Sequence, residues 1–134
     1  GGVSIEQAWA DGPEAYLGIT VAEFPNFFVL YGPNTNLGHN SITFMLERQV
    51  EYTIKALAKL DEAGARAMAP KRAAQDSFNK DLQARLGTTV WADPACNSWY
   101  KTGDGRITQN WVVHTRAYAD AVAEVDLKDY ELVK

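Results

Sequence analysis

The sequence predicts an α/β fold, or α+β when the chain is taken by itself, built from three helices and a few short strands. Two observations support this class. First, the apolar run FFVLY at residues 27–31 is typical of a strand that is covered on both faces. Second, a helical pattern of apolar residues follows a connecting loop and ends before Gly64. With 134 residues, the chain is long enough for a single domain with one modest core.

The composition limits the kinds of partner that the chain can have. Its net charge of −4 argues against nucleic acid and acidic membrane surfaces, which require a clustered basic face. No apolar run reaches the length of a membrane span and no secretory pattern is visible, so neither role is expected. The single cysteine, Cys96, cannot form an internal disulfide, and we therefore predict a reducing, cytoplasmic location.

The first half of the chain, residues 1–64, is predicted to be a strand–loop–helix unit. Residues 1–21 are rich in turn signals and are expected to be irregular or extended. The loop GPNTNLGHNS follows the strand, and Asn40 or Ser41 can cap the next helix. Gly64 is the expected terminator of that helix. Three- and four-residue spacing predicts a buried stripe of Ile42, Met45, Leu46, Gln49, Thr53, Leu57 and Leu60.

The second half, residues 65–134, is predicted to hold the C-terminal helices and a hairpin. Residues 66–69 fit a short edge strand, and β-branched and aromatic residues predict another strand at 88–91. An Asp-Gly turn predicts a hairpin over residues 97–111, and the last helix is expected from about Thr115. Between these elements, a helix is expected to begin near Pro70 and to end at Gly87, with a buried stripe of Ala74, Phe78, Leu82 and Leu86.

Familiar catalytic and nucleotide-binding motifs are absent from the sequence. It contains no Gly-x-Gly-x-x-Gly turn, P-loop, Gly-x-Ser-x-Gly elbow or Cys-x-x-Cys pair. His39 and His114 lie far apart and lack spaced carboxylate partners, so a metal site is not predicted. Cys96 has no Cys-His signature around it and is interpreted as a structural thiol. No residue is therefore assigned a catalytic role.

The loop after the predicted strand is the most informative feature. A strand, a Gly- and Asn-rich turn and a helix start bring free backbone N–H groups and the positive end of a helix dipole together. Such a site suits an anionic or electron-rich oxygen, as in a phosphate, a carboxylate or the pyrimidine edge of a reduced flavin. Gly32 and Gly38 allow close approach, and the asparagines tolerate left-handed backbone. The alternative is a rigid loop whose asparagines cap their own turns.

Longer motifs resemble one protein family. The stretches AYLGITVAEFPNFFVLYGPNTNLGHNSITFMLERQVEYTIKAL, CNSWYKTGDGRITQNW and HTRAYADAVAEVDLKDYEL are similar to the C-terminal portion of class B flavoprotein monooxygenases. The nearest group is that of the Baeyer–Villiger and 4-hydroxyacetophenone monooxygenase-like enzymes. The likeness runs from about Val3 to the end of the chain. Its motifs are a Phe-Pro-Asn-x-Phe strand entry, a Gly-Pro-Asn-Thr-Asn loop, a Glu-x-Gln-x-x-Tyr helix and a Ser-Trp pair.

The resemblance implies cofactors and a set of site residues. The strand at 27–31 would return the chain to a Rossmann-like FAD-binding domain, of which this chain would be the C-terminal part. The residues that would line the flavin are Gly32, Asn34, Thr35, Asn36, Leu37 and Gly38, and Trp99 would lie on the substrate side. The implied cofactors are FAD and NADPH. In the implied reaction, NADPH reduces FAD, a C4a-peroxyflavin forms with O2, and one oxygen is inserted into a ketone or added to a soft heteroatom.

The resemblance also implies that essential parts lie outside the chain. Two Gly-x-Gly-x-x-Gly units and an active-site arginine are expected upstream, so Gly1 is interpreted as a cut or a tag remnant. The expected partners are thus the N-terminal FAD and NADPH domains and a small organic substrate, and the isolated chain is predicted to be inactive. Bare apolar surface predicts self-association of the isolated chain through Phe24, Phe27, Phe28 and Trp99. The alternative is a stand-alone, non-catalytic binding or assembly module descended from such an enzyme.

Overall fold

The computed structural model describes residues 2–37, 40–95 and 98–134. Within these ranges it contains four α-helices, two short 3-10 turns (Val90–Ala92 and Leu127–Asp129) and one two-stranded sheet. The helices are α1 (Ile5–Ala8), α2 (Ile42–Glu62), α3 (Arg72–Leu86) and α4 (Thr115–Ala121), and the strands are β1 (Ala67–Pro70) and β2 (Tyr130–Val133). The α+β class and the three predicted helices are confirmed, whereas α1 was not predicted.

Helix α2 is the longest element, and its predicted boundaries are confirmed. The Ser41 hydroxyl accepts a hydrogen bond from the Phe44 amide and so caps the first turn. Gly64 follows the C-cap residue with a φ of 61°, the left-handed conformation that commonly ends a helix. The predicted stripe is partly wrong, because Ile42 and Leu57 are exposed. The buried face consists of Met45, Gln49, Tyr52, Ala56 and Leu60.

Helix α3 fastens the irregular opening segment of the chain. It begins at Arg72, since Pro70 belongs to β1, and it ends at the predicted Gly87. Two of its buried residues are polar rather than the expected Ala74 and Phe78. The Oε1 atom of Gln75 accepts a hydrogen bond from the Ala22 amide, and the Nδ2 atom of Asn79 donates to the Ala15 carbonyl. These two side-chain contacts satisfy one backbone donor and one backbone acceptor of the opening segment. The remaining buried residues of α3 are Leu82 and Leu86.

The two strands close the fold by joining the chain terminus to the connection between α2 and α3. Strand β1 pairs antiparallel with β2, with Ala67 opposite Val133 and Pro70 opposite Tyr130. The edge strand predicted at 66–69 is therefore confirmed, displaced by one residue. Strand β2 was not predicted, because four residues at a charged terminus carry too short an alternation to indicate a strand.

The strand predicted at 27–31 is wrong for this chain. Phe28 forms an isolated antiparallel bridge with Thr20, and the Val29 N–H donates to the Ile19 carbonyl at 2.7 Å. A strand covered on both faces needs partners along its edges, and the described residues supply only this bridge. The side chains of the run that remain 40 to 50% exposed are Phe27, Leu30 and Tyr31.

The strand predicted at 88–91 is also wrong, whereas the Asp-Gly turn is confirmed. The hydroxyls of Thr88 and Thr89 donate to carbonyls of the last turn of α3, which continues the helical path into the 3-10 turn. At the Asp-Gly turn, the Gly105 N–H donates to the Thr102 carbonyl at 2.9 Å. The predicted hairpin is limited to one antiparallel bridge between residues 101 and 107, and its first residue, Asn97, lies outside the described residues.

The core draws on both halves of the chain. Its members come from the opening segment, the loop, the three longer helices, the segment at 107–111 and the two strands. They include Leu17, Ile19, Leu37, Met45, Tyr52, Met68, Leu82, Leu86, Ile107, Trp111, Tyr118 and Tyr130. The proposed division of the chain at residue 64 stays a prediction. None of the helices in the described ranges combines the length and the hydropathy that a membrane span requires.

Buried tyrosine hydroxyls are hydrogen-bonded to one another and to the backbone in this core. The hydroxyl oxygens of Tyr52 and Tyr130 lie 2.7 Å apart, and that of Tyr130 lies 3.2 Å from Thr20 Oγ1. The Tyr118 hydroxyl donates to the Leu17 carbonyl at 2.8 Å. Burial raises the pKa of Tyr52, Tyr118 and Tyr130 above the ordinary value of 10.0.

We expect the free energy of unfolding to fall as the pH rises above 10.0, the ordinary tyrosine pKa. Below this pH the three tyrosines are protonated in both states, so their contribution is fully present. Above it they lose protons only in the unfolded state, which costs about 1.4 kcal/mol per pH unit and per tyrosine. Urea unfolding at a series of alkaline pH values measures the slope, and Tyr52→Phe should reduce it by one tyrosine's share. Equal slopes for the two proteins would contradict this expectation.

Candidate functional site

The loop at 32–37 runs alongside the segment at 107–111. The N–H groups of Asn34 and Asn36 each donate to a carbonyl of that segment at 2.9 Å, and the Trp111 N–H donates to the Asn36 carbonyl at 2.8 Å. The pairing is parallel. The amides of Asn34 and Asn36 are therefore satisfied inside the chain and are not available to a ligand.

Asn34 fixes this junction through its side chain. Its Nδ2 atom donates to the carbonyls of Ile107 and Asn110, at 2.8 Å and 3.0 Å. The residue is only 2% exposed, and its φ of 59° lies in the left-handed region that asparagine adopts more readily than most residues. The Oδ1 atom of Asn34 has no hydrogen-bond partner among the described residues. Asn34 thus holds the loop in place through its Nδ2 atom, while its buried Oδ1 atom has no partner among the described residues.

The sharp turn at the start of the loop packs against Gly18. A Cβ atom at Gly32 would lie 2.3 Å from the Gly18 carbonyl oxygen, and one at Gly18 would lie 2.2 Å from Thr35 Cγ2. Thr35 is fully buried, and its hydroxyl donates to the Gly32 carbonyl at 2.7 Å. Packing within the chain therefore requires both glycines, whether or not a ligand is bound.

The end of the loop presents a different set of groups. Leu37 is 3% exposed, and its N–H makes no hydrogen bond within the described part of the chain. Helix α2 begins shortly afterwards at its cap, Ser41, and adds the positive end of its dipole. The groups of this region that have no hydrogen-bond partner among the described residues thus include the Leu37 amide and the buried Asn34 Oδ1.

Two supports of the loop were not predicted as such. Gln49, on the buried face of α2, accepts a hydrogen bond from the Tyr31 N–H at 2.8 Å and donates to the Tyr118 hydroxyl at 3.1 Å. Asn110 accepts a hydrogen bond from Asn36 Nδ2 at 3.0 Å. A polar residue in an apolar stripe is a signal that could have indicated Gln49. No comparable signal exists for Asn110, whose partner lies 74 residues away in the sequence.

Trp99 lies on the surface and is 74% exposed. Its ring packs against that of Tyr100, with centroids 4.4 Å apart. The Tyr100 carbonyl accepts a hydrogen bond from the Thr108 N–H, and the Thr108 carbonyl accepts one from the Asn34 N–H. Trp99 is thus linked to the loop through the segment that Asn34 binds. The substrate-side role of Trp99 stays a prediction.

The other candidate residues from the sequence are Gly38, the two histidines and the cysteine, and His114 is the one of them that the structure describes. Gly38 and His39 lie outside the described residues, as does Cys96. His114 caps α4, where its Nδ1 atom accepts a hydrogen bond from the Ala117 amide. In the part of the chain that the structure describes, no group of three or more potential metal ligands occurs.

Comparisons with known proteins align the whole chain with one class of enzyme. No family model matches the chain. It is 42% identical to the FAD-binding monooxygenase ktnD of Aspergillus niger, with 98% of this chain and 22% of that protein covered. It is 37% identical to a Baeyer–Villiger monooxygenase of Streptomyces coelicolor, with 99% of this chain and 26% of that protein covered. It superposes on an oxidized steroid monooxygenase bound to NADP with a TM-score of 0.85 and 28% identity, over 100% of this chain and 26% of the other.

The fold and the sequence therefore define a segment of the flavoprotein monooxygenase fold. The chain is homologous to FAD-binding and Baeyer–Villiger monooxygenases, as the resemblance in the sequence implies. It spans about a quarter of the length of these relatives.

Replacing Asn34 by alanine should destabilise the chain more than replacing Asn26. Both asparagines have positive φ and two side-chain hydrogen bonds to the backbone, but Asn34 is buried and Asn26 is exposed. Asn34→Ala leaves two buried carbonyls without donors, so we expect a loss of about 2 to 4 kcal/mol. Asn26→Ala should cost about 1 kcal/mol, because water replaces the lost partners. Urea unfolding measures both values, and similar losses would contradict the structural role given to Asn34.

Proposed function

We propose that the chain is the C-terminal part of an FAD- and NADPH-dependent monooxygenase of the Baeyer–Villiger type. The observation that carries this proposal is the alignment of nearly the whole chain with an FAD-binding monooxygenase at 42% identity. The proposed substrate is a small organic ketone, or a compound with a soft heteroatom. The proposed location is the cytoplasm, which the single cysteine favours. By itself the chain would form one wall of the flavin and substrate site and would not turn over.

The groups at the end of the loop fit the electron-rich edge of a flavin. The Leu37 N–H is a donor, and the start of α2 adds positive potential beside it. Asn34 Oδ1 is a buried acceptor that suits a ring N–H group. The amides of Asn34 and Asn36 do not contribute, because they are bound to the segment at 107–111. The loop residues proposed to lie against the flavin are Gly32, Asn34, Thr35, Asn36, Leu37 and Gly38.

In this proposal the cofactors supply the redox chemistry, and this chain positions the flavin ring. Bound FAD would supply the redox chemistry, with NADPH as the source of electrons. This chain's residues would hold the ring and exclude water. Leu37 is packed in the core and so fixes the position of its amide. Trp99 offers a large apolar ring that is proposed to face the substrate.

We expect no oxygen-dependent NADPH consumption from the isolated 134 residues mixed with FAD, NADPH and a ketone. The reason is that the sequence holds no Gly-x-Gly-x-x-Gly turn to bind either nucleotide. The matched sample is the complete polypeptide encoded by the reading frame that contains this chain, which should bind FAD and consume NADPH. Absorbance at the NADPH band measures both. Turnover by the isolated chain, or a complete polypeptide that binds no flavin, would contradict the proposal.

A further inference from the structure

Helix α2 carries two apolar faces, and the part of the chain that the structure describes covers only one of them. Successive residues of an α-helix are about 100° apart, so residues at spacings of three and four share a face. The core side holds the buried residues already described. A second face, here named the outer stripe, consists of Leu46, Val50, Ile54 and Leu57. Val50, Ile54 and Leu57 are 40%, 62% and 48% exposed.

The outer stripe is distinct from the charged face of α2. That face carries charged residues, among them Lys55, which pairs with Glu124 at 3.3 Å, and Glu51, which pairs with Arg48 at 2.8 Å. Isolated apolar residues on a surface are ordinary, whereas a row of them along one helix marks an interaction surface. A helix that is apolar on more than one side is normally covered on each of them.

The exposed surface extends beyond α2. Gln49 is next to Val50 on the helix, and its side chain holds the Tyr31 N–H. Leu30 and Tyr31 are 50% and 46% exposed. Leu30 and Tyr31 are thus a second exposed apolar group, in the segment that Gln49 of α2 holds.

A donor without a partner lies at the rim of the outer stripe. A shallow depression there is lined by Thr43, Leu46, Glu47, Arg48, Val50 and Glu51. The Arg48 guanidinium lies 5.3 Å from the centre of the Phe44 ring, and its Nε atom is buried without a hydrogen-bond partner among the described residues. The carboxylates beside it are neutralised by the same guanidinium. The exposed side chains of the outer stripe therefore call for an apolar occupant.

We propose that the outer stripe docks on the remainder of the longer monooxygenase polypeptide, the three quarters of its length that this chain does not span. This inference rests on the proposed function. The relatives are about four times as long as this chain, so each copy of the stripe has a large partner tethered to it. A tethered partner competes at high effective concentration against a second copy of the chain.

Cysteine labelling tests the proposal without any need for activity. Ile54→Cys on the outer stripe and Ser77→Cys on the exposed side of α3 are each made in a Cys96→Ser background. Both are treated with a maleimide in the isolated chain and in the complete polypeptide. We expect Ile54→Cys to react at least about tenfold more slowly in the complete polypeptide, because the stripe is covered there. Ser77→Cys should react at similar rates in both.

Three results would overturn the inference, and they can be told apart. Equal labelling of Ile54→Cys in both proteins, with flavin bound, would overturn the inference and leave the proposed function standing. Protection in the isolated chain that grows with its concentration would assign the stripe to a second copy. A gene that encodes only these residues would overturn the proposed function and the inference together. A further variant, Ile54→Asp, should lower the melting temperature of the complete polypeptide and leave that of the isolated chain unchanged.

Discussion

The carboxamide of Asn34 is the contact on which the position of the loop depends. It holds two carbonyls of the segment at 107–111 while its own backbone adopts a left-handed conformation. The same segment leads into Trp111, whose ring meets that of Tyr118 edge to face at 5.1 Å in the core. One buried side chain thus ties a surface loop to the centre of the fold. A loop held in this way keeps its shape without a ligand, which lowers the entropic cost of binding one.

This constraint also limits what the loop can bind. A Gly- and Asn-rich turn before a helix indicates a cradle of many free amides, but those of Asn34 and Asn36 are occupied by the chain itself. What remains is a smaller set of groups on rigid supports: the Leu37 amide, the start of α2 and one buried acceptor. Donors that are fixed before a ligand arrives need no reorganisation when charge develops on it. The structure therefore shows the rigid loop that its composition allowed as one alternative, and the binding surface stays a proposal.

The two ends of α2 were predicted correctly from local signals, whereas most distant pairings were not. Ser41 and Gly64 bounded α2 because capping depends on neighbouring residues. The run at 27–31 was misread because a strand exists only with partners, and the described residues supply a single bridge. The predicted stripe of α2 combined residues of two apolar faces, because both faces repeat at the same three- and four-residue spacing. In the candidate site, an asparagine at residue 34 could be expected, because asparagine tolerates the left-handed backbone of a turn. Its hydrogen-bond partners at Ile107 and Asn110 could not be predicted, since they lie more than 70 residues away in the sequence.

The most direct test of the account is hydrogen exchange at the loop in the complete polypeptide, measured with and without FAD. The Leu37 amide should exchange at least about tenfold more slowly when FAD is bound, because its free N–H then acquires an acceptor. The amides of Asn34 and Asn36 should change little, since each already donates within the chain. Equal exchange at Leu37 in the two samples would contradict the claim that this loop lies against the flavin.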